Sequence, residues 1–208
     1  NTIPSIAHVV KAAALEGDME NLALAGKNLY EETGQGNQDN VHIKLLIDAY
    51  NIHAKDIFSL DSMDLNNISH STELIPEVEL FLENQRSLYE HNIYNVVIGA
   101  NYAQETAASS MLENFYNAFF LKYKSRISDI NFAVISKYFC EHLNGTEEQH
   151  ALNAQKIIIN RCSEHKNIPH ILFGVEQFLN AQSKLWDGLH RELLATENEE
   201  LIINFSVN

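Results

Sequence analysis

Cysteine, proline and basic side chains are all scarce in this chain, and each scarcity excludes something. The 208 residues hold two cysteines, Cys140 and Cys162. Two thiols cannot build a disulfide framework, and these lack the paired spacing of a zinc site. Both fall in helical patterns, where a free cysteine usually behaves as a small buried hydrophobe. A reducing compartment, the cytoplasm, is expected. Basic residues number 14 against 28 acidic ones, a formal net charge of −14. Such a surface repels nucleic-acid phosphates and anionic lipid, so neither is expected as a partner. No apolar run approaches the roughly 20 residues needed to cross a bilayer, and no basic segment followed by an apolar one marks a secretory signal. The chain opens on Asn1 rather than Met, so a missing upstream segment is allowed for.

Only three prolines interrupt the chain, and its hydrophobic content is 45%. Apolar residues recur at three- and four-residue intervals almost throughout, which is the helical period. One all-α domain spanning residues 1–208 is expected. Helices are expected at residues 5–15, from Asp18 to the Gly34-Gln35-Gly36 stop, and from about Val41 to Phe58 with Leu45, Leu46, Ala49 and Ile52 as its stripe. Further helices follow near 75–92, 95–123, 129–143, 147–164 and 170–195. The Asp-, Asn- and Ser-rich residues 61–72 read as a loop. The tail from Leu201 to Asn208 is expected to extend over the surface.

Against this background, ionisable residues occupy positions where the period calls for core. Glu32 follows Leu29 by three, and His42 precedes Leu45 by three and Ala49 by seven. Glu105 lies seven after Ile98 and seven before Leu112, and His142 lies three after Phe139. His150 precedes Ala154 by four, with Glu147 one turn earlier. Each should point inward. An isolated buried carboxylate costs several kcal/mol, so it is expected to be paired or bound to metal. A lone inward histidine or glutamate is ordinarily a hydrogen-bonded core residue. Three of each, with few cations on the same stripes, suit an oxygen- and nitrogen-liganded divalent ion better than mutual pairing.

These residues carry a family resemblance. Asn28-Leu29-Tyr30-Glu31-Glu32-Thr33-Gly34-Gln35-Gly36 followed by His42 resembles a motif of the haem-oxygenase-like non-haem iron oxidases. Ala103-Gln104-Glu105-Thr106 resembles their central glutamate helix. Tyr138-Phe139-Cys140-Glu141-His142 through Glu147 to His150 resembles their closing His-x-x-x-Asp-x-x-His motif, and Gln182 to Leu189 is also similar to relatives. The likeness is strongest to the small CADD-like proteins of the TenA/PqqC superfamily, including cyanobacterial members. It implies an up-and-down bundle of about seven helices holding one or two iron ions, and activation of O₂ to oxidise a small organic substrate. Manganese suits the same ligands, and a homodimer is allowed for.

By this resemblance Glu32, His42, Glu105 and His150 would hold one ion. His142 and Glu147 would complete a second site, shared through Glu105. Tyr102, Tyr116 and Tyr138 lie near these residues in sequence; they would tune oxidants or simply pack. Two departures stand out. The closing motif has one extra residue and Glu147 in place of Asp, which in a straight helix would turn Glu147 about 140° from His142. Either a π-bulge or a break at Asn144-Gly145 would restore a common face. The break would leave Thr146 as cap and Gln149 completing a capping box. For the family's early-helix carboxylate Glu16 and Glu20 are weak candidates, with His8 as another ligand in its place; the expectation is that the carboxylate lies upstream of Asn1 or is absent, leaving one metal rather than two. Two other readings keep the fold: a metal-free TenA-like hydrolase using Cys140, and a non-catalytic interaction module.

Overall fold

Asp18 both ends one helix and starts the next. The Asp18 backbone amide donates to the Ala13 carbonyl, and its carboxylate caps the following helix by accepting from the Asn21 amide at 3.0 Å. The computed structural model describes residues 2–63 and 74–206, with side chains through 195. It contains α1 (Thr2–Glu16), α2 (Met19–Glu32), α3 (His42–Phe58), α4 (Pro76–Tyr89), α5 (Tyr94–Phe115), α6 (Asp129–Leu143), α7 (Thr146–Cys162) and α8 (Ile168–Ser206). No strand occurs among the described residues. The fold is an all-α, haem-oxygenase-like bundle. No described helix is long and apolar enough to cross a membrane.

α5 is the central element and packs against α1, α4, α6, α7 and α8. Its contact with α8 is close because two glycines face each other. A Cβ at Gly99 would overlap the Ile171 carbonyl, and one at Gly174 would overlap the Val96 carbonyl. One apolar cluster, with Val96, Val97, Ala100 and Phe178, fills the space around α5 and α8. A second, with Leu45, Ala49, Phe120, Ile135 and Phe139, joins α3 to α6.

Three features differ from the sequence reading. The helix expected over 95–123 leaves α-geometry at Phe115 and passes through a π-turn, Tyr116–Phe120, into a 3₁₀ segment, Leu121–Arg126. The aromatic residues explain this: the π-turn buries Phe120 completely against Phe139, ring centroids 4.9 Å apart, while Phe119 stacks on Phe115. At Asn144-Gly145 the chain breaks rather than bulges. Gly145 itself, at φ +103°, takes the cap position, so Thr146 is the first helical residue and forms no capping box. Its hydroxyl instead donates to Asn144 Oδ1. The tail expected to extend over the surface is helical instead as far as Ser206, where α8 ends; residues 207–208 lie outside the described residues. Of the loop expected at 61–72, residues 61–63 have no regular structure and 64–72 lie outside the described residues.

Candidate metal centre

Five helices bring the six inward residues together, mostly at their ends. Glu32 is the last residue of α2 and His42 the first of α3; His142 stands one residue from the end of α6. Glu147 and His150 lie at the start of α7, and Glu105 lies midway along α5. All six are buried. Gly34 makes the first junction. Its φ of +80° and the lack of room for a Cβ, which would overlap Asn37 and Val41 backbone, let the chain reverse tightly between Glu32 and His42.

Two triads result: Glu32, His42 and His142; and Glu105, Glu147 and His150. Within each, one donor atom from every member lies within 4.8 Å of the others. Three ligands each about 2 Å from one ion stand at most about 4 Å apart, so the triads lie near a coordinating spacing. The triads touch through His142 Nε2, which is 3.6 Å from Glu32 and 3.7 Å from Glu147. The grouping differs from the sequence reading. Glu147, rather than Glu105, spans the two groups, and His142 partners Glu32 and His42.

Partners outside the triads set the imidazole orientations. The Tyr138 carbonyl can only accept, so His142 Nδ1 donates to it at 2.8 Å and Nε2 faces the carboxylates. His150 Nε2 lies 3.0 Å from Glu31 Oε2, leaving Nδ1 towards Glu105 at 3.8 Å. A carboxylate that takes the outer N–H of a histidine is a common support for a metal ligand. His42 Nδ1 is 3.2 Å from Glu32 but not aligned to bond it; it is buried and has no hydrogen-bond partner. Its Nε2 is 3.7 Å from Glu141. Glu31, Glu141 and Asn28, which donates to Glu105 at 3.2 Å, were not singled out from sequence.

Burial and mutual repulsion drive the acid groups apart. Burial pushes Glu105 up to about 8, helped by the charges of Glu147 and Glu32. Glu147 is also raised by burial, against the pull of His142 and His150. Burial would raise Glu32 too, but His142 and His42 hold it at about 2. Burial would lower His142, yet Glu32, the Tyr138 carbonyl and Glu147 raise it. Buried carboxyl groups that repel one another, with His42 Nδ1 left unpaired among them, are a set that a divalent cation completes. With its carboxylate and imidazole donors, it fits iron.

The other sequence candidates lie elsewhere. Glu16 pairs with Arg161, Glu20 with Lys156, and His8 lies 3.6 Å from Glu90. None joins the centre. Cys140, expected to be buried, is exposed; it is two residues from His142, and the helix turns it outward. The Tyr116 hydroxyl pairs with Ser136. Tyr138 is buried, its ring centroid 4.2 Å from that of His142, and burial raises its hydroxyl far above its ordinary value. Tyr102 is half-buried and belongs to neither triad.

Residues 9–183 match the model of a haem-oxygenase-type family described as iron-containing redox enzymes. The chain belongs to that family. The fold of this family member is similar to a CADD-like protein of unknown function from Nostoc punctiforme, solved in two crystal structures. The 2.00 Å structure matches with a TM-score of 0.72 and 16% identity, over 92% of this chain and 75% of that one. The 1.35 Å structure gives 0.71 and 16%, over 94% and 75%. No functionally curated protein matches the chain.

Proposed function

We propose that this family member is a non-haem iron oxidase or oxygenase that uses O₂ to oxidise a small organic substrate. The observation that carries the reading is the pair of buried triads meeting at His142 and Glu147. Bound ferrous iron would supply the electrons that O₂ chemistry requires and that no side chain here provides. Glu32, Glu105 and Glu147 would balance its charge. His42 Nδ1, His142 Nε2 and His150 Nδ1 would be the nitrogen donors. The Tyr138 carbonyl and Glu31 hold the last two rings in place. Phe81, Leu112, Phe178 and Leu185 form the apolar part of the cavity lining beside the centre. Glu31, His42, Glu141 and Asn144 line a polar cleft of about 450 Å³ that gives small molecules a route to His42.

Anaerobic loading with Fe(II) tests this reading. One tight equivalent and at most one weaker one are expected. Exposure to O₂ should then oxidise the iron faster than free Fe(II) in the same buffer, and Glu105→Ala should abolish the excess rate. Loaded protein that reacts no faster than buffer, with amine and carboxylate substrates present, would turn the assignment towards a non-catalytic module.

A further inference from the structure

Metal-centre residues line a cavity of about 290 Å³ together with Gln85 and Gln104. Gln104 Oε1 accepts twice, from the Tyr89 hydroxyl at 2.9 Å and from Gln85 Nε2 at 3.0 Å. With Tyr89 donating, both amide orientations are set, and Gln85 Oε1 is the atom left over. It is buried and has no partner, in a side chain only 6% exposed. Asn28, also in the lining, uses Nδ2 on Glu105 and leaves Oδ1 buried and unpaired. The unpaired buried atoms of Gln85 and Asn28 are therefore both acceptors. Buried acceptors without donors are rare, and two of them lining one cavity point to a donor that occupies it.

The charge around them agrees. The described lining contains Glu32, Glu105 and Glu147 but no Lys or Arg, and its histidines already face carboxylates. No side chain there is a cation free to pair an anionic headgroup. Met111, Gln182 and Trp186 line this cavity and also a second one of about 510 Å³ along α5 and α8. The outer cavity is otherwise lined by Ala107, Phe115, Ala118 and Phe119 with Ser110 and Asn114, and the three shared side chains place this largely apolar groove next to the inner cavity. Both volumes are in or near the usual range for small-molecule pockets, about 300–1,000 Å³.

We infer that the substrate carries a non-anionic, hydrogen-bond-donating head, a primary amine or an alcohol, on an extended apolar body. The head meets Gln85 and Asn28 beside the candidate metal residues, and the body runs past Met111 and Trp186 into the groove. As a statement about substrate, this rests on the proposed oxidase reading; as a statement about binding, it can be tested without iron.

Trp186 is the chain's only tryptophan and lines both cavities, so its emission reports occupancy. Metal-free protein, and separately Fe(II)-loaded protein under anaerobic conditions, would be titrated with decylamine, decanol, decanoate and butylamine. The expected result is decylamine and decanol binding about tenfold or more tighter than decanoate, and butylamine binding weakly. The neutral alcohol separates head recognition from attraction of a −14 protein for any cation. Gln85→Leu should weaken amine and alcohol about tenfold and leave decanoate unchanged. Ala107→Phe should weaken the ten-carbon ligands but not butylamine. Decanoate binding as tightly as decylamine and decanol, or no effect of Gln85→Leu, overturns the inference and leaves ordered water as the partner of these acceptors. Iron equivalents counted on the same samples keep the two readings apart. Selective binding without iron uptake overturns only the oxidase, and iron uptake without selectivity overturns only the substrate class.

Discussion

α3 buries two histidines on the same face, eleven residues or about three turns apart, in opposite company. His42 meets Glu32, Glu141 and the ring of His142, whose centroid is 4.4 Å away. His53, 2% exposed, meets Phe58, Phe119, Phe120 and Tyr123, and neither of its nitrogens has a partner. Burial lowers its pKa, so it is held neutral. Helical phase put both rings inside, but phase does not decide what they do there. That is decided by the neighbouring elements, which bring carboxylates to one end of α3 and the aromatic π-turn to the other.

The largest expected effect separating the two ends is the response of metal-free protein to pH. Glu105 has a folded pKa near 8, above its ordinary 4.5. The folded state therefore holds a proton that the unfolded chain releases, and stability falls as pH rises from about 4.5 through 8. Glu147 and His142, also raised, act in the same direction. Between pH 6 and 8.5 the loss should be on the order of a few kcal/mol. Calorimetry should show the melting temperature falling over that range, with Glu105→Gln removing most of the fall. A melting temperature that climbs instead breaks the account of the acidic end.

A smaller effect is expected from Glu31→Ala, which removes the carboxylate that orients His150. Metal affinity measured by chelator competition should drop roughly 10- to 100-fold with the stoichiometry unchanged. An unaltered affinity would leave Glu31 as a surface partner of Lys27. The smallest effect belongs to the aromatic end. His53→Leu removes two unpaired polar atoms and should raise stability by about 1–2 kcal/mol at pH 7, without changing iron uptake. Because the folded pKa of His53 is depressed, the unfolded chain takes up the proton first. Stability is therefore lost as pH falls through about 6.5. Denaturation at pH 5.5 should show the variant's advantage growing; a constant advantage would mean that His53 does not titrate.

The bundle was legible because its signals are local. Asp18 caps where its side chain and the following stripe require, and α3 and α6 begin and end within a residue or two of the periodic pattern. The inward phase of Glu32, His42, Glu105, His142, Glu147 and His150 was legible for the same reason. Their division into triads was not, since it depends on how far helices slide past one another. Glu31 was hidden by its neighbour: next to Glu32 and four residues from Lys27, it reads as a surface ion pair, and it does make that contact at 3.5 Å. His53 was hidden by Ile52, which periodicity placed on the stripe although His53 is the more deeply buried. The π-turn left no trace in the apolar period, because crowding by Phe139 becomes visible only when α6 is in place.

α8 supplies Phe178, Gln182, Leu185 and Trp186 to the cavity wall but none of the six candidate ligands. Its backbone is locked to α5 by Gly99 and Gly174, one helical turn or more away from those four side chains. Substitutions at the four positions can therefore reshape what the cavity admits while the charged centre on α2, α3, α5, α6 and α7 stays where it is. A lineage carrying this scaffold can remodel the cavity by drift along one helix without displacing any candidate ligand.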